Sequence, residues 1–380
     1  MAKSVGGVSS FQKTNLKRPV IQGTRLSLRN AQLLVSSGIP SYDSFIGGGL
    51  PVGTLCCIEE DVSGVYSKLM LKHFIAEGVL NGHFIALASQ NTPSDDLSQE
   101  LPCPVTDTPF TSHTSSSNDQ MKIAWRYENL NTTEMADAKA SFGHIFDTSK
   151  VMDLDELQSS RIKCWNAPEE GCLQSDSSLG PYLDLLIFIR QQIEERDCKV
   201  DTKSDKKNII RIALHSLASP LWQENSNVPS GQSHVMSQFL KFMYCLKSII
   251  RSSYAVCMIT VPSHLCRDTC TIHRLRHVVD ISALIKSFLD SEEETNEAYR
   301  EYSGLFYFKK LFAINTIVPH SSESLDLAFK IRRKRFLIEK LCLPPDLSGS
   351  GDGEMHSMGG CAMPNTSNQV KKGCCGSLDF

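Results

Sequence analysis

The sequence predicts an α/β fold, with a mostly parallel twisted sheet flanked by helices and antiparallel strands at the C-terminal edge. Two patterns favour this class. Short apolar runs typical of buried strands, such as GTLCCIEE and YAVCMITVP, alternate with longer segments of helical periodicity. Near the C-terminal end, HVVDISALIKSF, SGLFYFKKL and SLDLAFKIRRKRFLIEKL alternate or run apolar in the manner of antiparallel strands.

The first half of the predicted core contains a strand, a helix and a second strand. GTLCCIEE is the first buried strand, and SGVYSKLMLKHFIAEGVLNG forms a helix that ends at Asn81 and Gly82. HFIALAS is the next strand. Residues 91–120 are rich in Pro, Ser and Thr and are interpreted as a long loop that leaves the core.

The second half repeats the alternation after a less regular stretch. MKIAWRY is interpreted as a third strand, and residues 128–178 as polar and irregular. LGPYLDLLIFIRQQIEERD then predicts a helix with Pro181 near its start. NIIRIALHSL predicts a buried strand, HVMSQFLKFMYCLKSIIRSS an amphipathic helix, and YAVCMITVP another buried strand.

The chain has 380 residues, of which 41% are hydrophobic, enough for a sizeable core. We expect one domain over residues 23–345, a disordered basic N-terminus over 1–22 and a disordered tail over 346–380. The basic N-terminal stretch, which contains no acidic residue before Asp43, also resembles an organelle transit peptide.

Charge and cysteine usage exclude several classes of protein. A formal net charge of -3 excludes the global basicity of a histone-like binder, so a nucleic-acid contact requires a local patch. The 14 cysteines are scattered and several lie in strand-like runs, which indicates reduced thiols and a cytoplasmic or nuclear protein. The apolar runs are shorter than the roughly 20 residues that span a bilayer, so no membrane partner is expected.

A glycine-rich segment leads into the first buried strand. Residues 36–53, SSGIPSYDSFIGGGLPVG, resemble the segment that precedes the phosphate loop in RecA-like ATPases of the KaiC and RecA type. Gly47, Gly48, Gly49 and Gly53 match its turn, where glycine permits backbone angles that other residues avoid. The predicted fold class is therefore RecA-like.

The phosphate loop itself is degenerate. In the register of G-x-x-x-x-G-K-[ST], the first glycine position is Glu60, the second is Val65, the lysine position is Tyr66, and only Ser67 conforms. The acids at 59–61 have the wrong charge to receive a polyphosphate, so no nucleotide cofactor is expected.

Two further ATPase positions also lack their usual residues. The strand NIIRIALHSL ends in His215 and Ser216, where a carboxylate that holds magnesium is expected. The strand HFIALAS ends at Ser89, and Gln90 after it cannot act as a general base. Autonomous hydrolysis is therefore not expected.

Residues 20–345 are similar to one family, the fourth subunits of the Elongator complex. The resemblance is carried by GTRLSLRNAQLLVSSGIPSYDSFIGGGLPVGTLCCIEED, by the run into SKLMLKHFIAEGVLNGH, by LASPLW and by EKLCLPPD. It implies a non-catalytic subunit that forms a hetero-hexameric ring with Elongator subunits five and six, two copies of each. The ring binds tRNA and attaches to the catalytic subassembly that modifies wobble uridine at carbon 5, in the cytoplasm and nucleus.

The loop after YAVCMITVP supplies candidate RNA contacts. Arg267, Arg274 and Arg276 lie in a basic stretch there, and arginine suits both phosphate binding and base stacking. Solvated or interface arginines are the alternative. KIRRKR, residues 330–335, has five positive charges and is consistent with a nuclear import signal, an RNA contact, or the edge of a strand or helix with one solvated face.

Two hypotheses of a nucleotide site stay open at the sequence level. An active ATPase or kinase with an unorthodox phosphate loop would use Ser67 and Lys68, and a composite site would lend Arg or Lys residues to a nucleotide held by a neighbouring chain. Cys266, Cys270 and His273 have a loose zinc-like spacing without a second ligand pair, so no metal is expected.

Overall fold

The computed structural model describes residues 21–27, 30–105, 142–153, 157, 160–166, 182–200, 207–222, 231–266, 268–289, 291, 294, 296–318 and 326–342. The predicted disordered tail and the MKIAWRY strand lie outside these residues, as do positions 1–20 of the predicted basic N-terminus.

The described strands and helices are numbered along the chain. The strands are β1 Thr24–Leu26, β2 Leu33–Val35, β3 Leu50–Pro51, β4 Leu55–Glu59, β5 Phe84–Ser89, β6 Pro102–Pro104, β7 Phe146–Val151, β8 Arg161–Trp165, β9 Ile210–His215, β10 Ala255–Val261, β11 Ile281–Ser287, β12 Gly304–Lys310, β13 Leu327–Arg332 and β14 Arg335–Lys340. The α-helices are α1 Pro40–Phe45, α2 Val65–Leu80, α3 Ser94–Gln99, α4 Tyr182–Glu195, α5 Gly231–Arg251 and α6 Thr269–Val278. Short 3₁₀ helices occupy Pro220–Trp222, Ser263–Leu265 and Glu297–Tyr299.

The described strands form one large sheet and two small ones. The large sheet has the order β14-β13-β12-β11-β4-β10-β9-β5-β8. Its strands from β11 to β8 are parallel, whereas β12, β13 and β14 join by antiparallel pairing. This confirms the α/β class predicted above, including the antiparallel strands at the C-terminal edge.

Three details differ from the sequence-based expectations. β11, expected among the antiparallel strands, pairs in parallel with β4 and antiparallel with β12, so it is the strand where the sheet changes direction. The stretch 128–178, interpreted as irregular, contains β7 and β8. The stretch 91–120, interpreted as a loop, begins with α3 and β6, which pack near α2.

The strands of the sheet bury apolar side chains on both faces. In β4, Cys56 and Ile58 belong to the core on the side of α2, while Leu55 and Cys57 belong to the core on the side of α4 and α5. Such burial on both faces is typical of parallel strands between helical layers, and it explains why these strands are continuous apolar runs.

The glycine-rich segment before β4 adopts the turn expected from the sequence. Gly47, Gly48, Gly49 and Gly53 have φ angles of 92°, 109°, 132° and 84°, in the region that favours glycine. A Cβ atom at Gly49 would lie 2.7 Å from the carbonyl oxygen of Val35. The turn therefore requires glycine for both conformation and space.

Buried polar contacts fix this segment against the sheet. Arg211 of β9 donates from Nη1 to the carbonyl oxygens of Ser36 and Phe74, at 2.9 and 3.0 Å, and from Nε to Nδ1 of His83 at 3.0 Å. Asp43 accepts from the hydroxyl of Ser36 at 2.6 Å. Burial lowers the pKa of Arg211 to about 10 and raises the pKa of Asp43 to about 6.

Candidate functional site

The carboxylate of Asp61 occupies the N-terminus of α2. Its oxygens accept hydrogen bonds from the backbone amides of Val65 at 3.0 Å and Ser67 at 3.0 Å, with a longer contact from Tyr66 at 3.4 Å. The hydroxyl of Ser63 donates to the same carboxylate at 2.6 Å. The first amides of a helix are donors without an intrahelical partner, and here one acidic side chain satisfies them.

This arrangement fills the position at which a phosphate loop holds its ligand. A phosphate at a helix N-terminus needs free backbone N–H groups and the positive end of the helix dipole. Asp61 is only 1% exposed and already engages both. A nucleotide phosphate would have to displace a bound carboxylate of the same charge sign.

Glu59, at the end of β4, is held by an arginine from α6. The guanidinium of Arg276 donates to Oε1 and Oε2 of Glu59, both at 2.7 Å, and the hydroxyl of Ser282 donates to Oε1 at 3.2 Å. Glu59 is 1% exposed, so the bidentate pair supplies most of the polar contacts of its buried carboxylate. The hydrogen bonds with Glu59 in turn raise the pKa of Arg276.

Glu60, the residue directly after β4, contacts β10 and the segment that follows β9. Its Oε2 accepts from the hydroxyl of Ser216 at 3.3 Å, and its backbone amide donates to the carbonyl oxygen of Val261 at 2.9 Å. Burial raises the pKa of Glu60 to about 6, although hydrogen bonds from Thr260 and Ser216 oppose the rise. All three acids at 59–61 therefore have contacts within the chain.

Ser89 and His215, at the positions where RecA-like ATPases have carboxylates, are in contact with each other. The hydroxyl of Ser89, at the end of β5, lies 3.0 Å from Nδ1 of His215, at the end of β9. Burial, followed by the charges of Lys68 and Lys72, lowers the pKa of His215 to about 4. The imidazole is therefore neutral near pH 7. Neither residue is a carboxylate able to hold magnesium or to activate water in the ATPase manner.

The remaining phosphate-loop positions have structural contacts or face solvent. Tyr66, at the lysine position, packs its ring against Phe329 with 4.8 Å between centroids. Val65 is exposed, and the Ser67 hydroxyl is buried without a hydrogen-bond partner in the described part of the chain. The charge of Lys68, the next residue, contributes to the lowered pKa of His215.

A cleft of about 800 Å³ opens beside the carboxyl end of β4. The loop after β4, the segment from Ser263 to Arg276, and the β11–β12 region line it. Val62, with 83% of its surface exposed, and Leu289 lie at the cleft, and Val65 and Leu265 are exposed near it. This part of the sheet therefore presents apolar side chains to solvent.

The three arginines predicted to contact RNA have different surroundings. Arg274 is exposed on α6, whereas Arg276 forms the ion pair with Glu59 described above. Arg267 lies outside the described residues. The basic run 330–335 forms the end of β13, a turn and the start of β14, so it is a strand hairpin and not a helix.

The described part of the chain contains neither a membrane-spanning helix nor a metal cluster. No helix there is long and apolar enough to cross a membrane. The described His, Cys, Asp and Glu side chains form no group of three or more that would hold a metal ion.

Sequence reasoning predicted a degenerate phosphate loop but not the contacts that its residues make. Asp61 was predicted only as one of three acids of the wrong charge, because it lies three residues before Gly64, the residue that directly precedes α2, and capping patterns concern that residue. The pair between Glu59 and Arg276 had no sequence signal, because 217 positions separate the two residues.

Comparisons with known proteins agree on one family. The profile of the PAXNEB protein family matches residues 17–377. Elongator complex protein 4 of Danio rerio is 40% identical over 97% of this chain and 97% of its own. The Homo sapiens protein of that name is 38% identical over 91% of this chain and 87% of its own.

Two more distant similarities were found. Elongator complex protein 4 of Saccharomyces cerevisiae is 23% identical over 85% of this chain and 76% of its own. A KaiC-like protein from Pyrococcus horikoshii OT3, known from a crystal structure, covers 80% of this chain and 98% of its own at 14% identity, with a TM-score of 0.42. On the family profile and the relatives above 30% identity, the chain belongs to the PAXNEB family, the family of the Elongator complex protein 4 chains.

Proposed function

We propose that the chain is a non-catalytic subunit of the Elongator complex. It forms a hetero-hexameric ring with Elongator subunits five and six, and the ring binds tRNA and supports carbon-5 modification of wobble uridine by the catalytic subassembly. Family membership supports a place in the complex. The same proposal places the protein in the cytoplasm and nucleus, where the reduced thiols expected from the sequence would persist.

The non-catalytic role is supported chiefly by one observation: the carboxylate of Asp61 accepts hydrogen bonds from the first backbone amides of α2. It fills the phosphate position with a group of the chain itself. In addition, Ser89 and His215 stand where hydrolysis requires carboxylates. Such a subunit would have the strands and helix that surround a nucleotide site but not the residues that bind the nucleotide.

The exposed apolar residues at the same edge support an assembly role. Val62 and Leu289 line the cleft, Val65 is exposed at the start of α2, and Leu265 is exposed between two residues that line the cleft. RecA-like domains pack head to tail through the edges around their nucleotide sites, so loss of the ligand leaves the contact surface available for closing a ring. An interface would remove these side chains from water.

Reconstitution tests the proposal. The chain is expressed with subunits five and six, the mass of the assembly is determined under native conditions, and tRNA binding is measured at two salt concentrations. A hexamer with two copies of each subunit and salt-dependent tRNA binding is expected. A monomer that ignores both partners and binds ATP by itself would overturn the proposal in favour of an unorthodox phosphate loop.

A further inference from the structure

The hairpin of β13 and β14 has an unfavourable turn for its type. Arg332 pairs with Arg335, so Arg333 and Lys334 form a two-residue loop with φ angles of 49° and 64°. Positive φ at both central positions is the pattern of a type I′ turn, for which Asn-Gly and related pairs are strongly preferred. Long charged side chains at both positions therefore reduce the stability of the hairpin.

A second local feature also disfavours stability. The Cα partners Arg332 and Arg335 place like charges directly opposite each other at the end of the ladder, and such cross-strand pairs are destabilising. We call Arg332, Arg333, Lys334 and Arg335 the basic tip. Within the described residues none of the four side chains forms a salt bridge, although the charge of Lys334 interacts with that of Asp147.

The tip is held in a fixed position by β7. Both the backbone amide and the hydroxyl of Thr148 donate to the carbonyl oxygen of Lys334, at 2.8 and 2.9 Å. Strained backbone persists where surrounding contacts determine it, and this pair of hydrogen bonds does so here. The exposed Lys150 of β7 adds another positive charge to the area.

One acidic residue, Asp147 of β7, lies close to this surface. Asp147 accepts from the hydroxyl of Ser149 at 2.7 Å and from its amide at 2.9 Å. These bonds, with the nearby charges of Lys334 and Lys150, lower the pKa of Asp147. The surface therefore combines an excess of positive charge, a backbone hydrogen-bonded to β7 and two features that oppose stability.

We infer that the basic tip binds the phosphate backbone of a folded RNA. The inference rests on the proposed tRNA binding of the ring and names a contact surface for it. An RNA fits better than an acidic protein, because protein interfaces have apolar centres. The tip is made of Arg and Lys, with Ile331 as its one exposed large apolar neighbour among the described residues of the hairpin.

The test uses a variant that improves the turn while it removes charge. Arg333→Asn with Lys334→Gly installs the preferred type I′ pair, so the hairpin should gain stability and Tm should not fall. In the assembled ring, tRNA affinity is measured between about 50 and 200 mM salt. Loss of two phosphate contacts should lower the slope of log K against log salt by about 2.

A matched control removes the same charge elsewhere. Arg190→Gln with Lys199→Gln neutralises two exposed cations that share Glu194, on the side of α4. We expect this ring to bind tRNA as the unmodified ring does. A ring with the hairpin substitutions whose affinity and salt slope equal those of the unmodified ring would overturn the inference while leaving the proposed function intact.

Two remaining outcomes are also decisive. If the unmodified ring does not bind tRNA, both the proposed function and the inference fail. If the hairpin variant is as stable as the original chain but does not assemble, the basic tip contacts a protein subunit, and the RNA assignment is wrong.

Discussion

The carboxylate of Asp61 lies 3.0 Å from the backbone nitrogen of Ser67, at the turn of α2 where a nucleotide-binding protein presents its amides to phosphate. The contact makes the remnant of the phosphate loop a stabilising element of the fold. Asp61 and Ser67 are therefore part of one hydrogen-bonded structure at the start of α2.

Replacement of Asp61 tests this role. Asp61→Ala should lower the free energy of unfolding by about 1–2 kcal/mol, because the first amides of α2 lose their acceptor. Urea denaturation measures the loss, and calorimetry with ATP and magnesium measures nucleotide binding. We expect none, since Tyr66 stands in place of the lysine. Tight ATP binding by this variant would show that Asp61 alone blocks a working site.

The bidentate pair between Arg276 and Glu59 predicts a stability effect for an arginine first considered as an RNA contact. Arg276→Ala leaves Glu59 charged and buried without its partner, which should cost about 3 kcal/mol in urea denaturation. Arg274→Ala, on the same helix but exposed, is the control and should change stability by less than about 0.5 kcal/mol. Equal effects of the two substitutions would contradict the structural role of Arg276.

The exposed apolar residues at the blocked edge predict an assembly defect. Val62→Asp with Leu289→Asp should leave the isolated chain folded, since both side chains are substantially exposed, but should prevent a ring from forming with subunits five and six. Native mass determination after co-expression is the measurement.

Val200→Asp provides the control for that experiment. Val200 is 50% exposed, and its amide donates to the carbonyl oxygen of Ser252. Ser252 precedes β10, so Val200 lies near the amino ends of the parallel strands, whereas Val62 follows the carboxyl end of β4. Its substitution should leave the hexamer intact. If the double variant assembles as well as the Val200 variant does, the interface does not include Val62 and Leu289.

The fold was largely predictable because its central strands are buried on both faces. Continuous apolar runs such as those of β4, β9 and β10 have few other interpretations between helical segments. β8 was missed because it lies at the edge of the sheet, where Arg161 and Lys163 of its sequence are exposed. The direction of β11 depends on pairing with β4, a contact between distant residues that local pattern does not encode.

The candidate site was less predictable for a related reason. The absence of a phosphate loop could be recognised residue by residue from Glu60 to Ser67. The contacts that replaced it depend on loop geometry around Asp61 and on the approach of α6 to Glu59. Sequence patterns identify a missing function more readily than the packing that takes its place.

The last prediction concerns pH, because Glu60 and His215 lie at one edge and titrate with opposite consequences. Burial raises the pKa of Glu60 from 4.5 to about 6. The folded state thus favours the neutral acid, so this contribution to stability is fully present below pH 4.5 and is lost as the pH rises through about 6. Glu60→Gln removes the dependence and should be more stable than the original chain above about pH 6, by at most about 2 kcal/mol.

His215 has the opposite sign. Its pKa falls from 6.5 to about 4, so the folded state favours the neutral imidazole, and the stability is lost as the pH falls from 6.5 through about 4. In urea denaturation at about pH 4 to 8, the gain of Glu60→Gln over the original chain should therefore grow as the pH rises. The stability of His215→Gln relative to the original chain should instead rise as the pH falls, and parallel pH profiles for the two variants would contradict the burial of both groups.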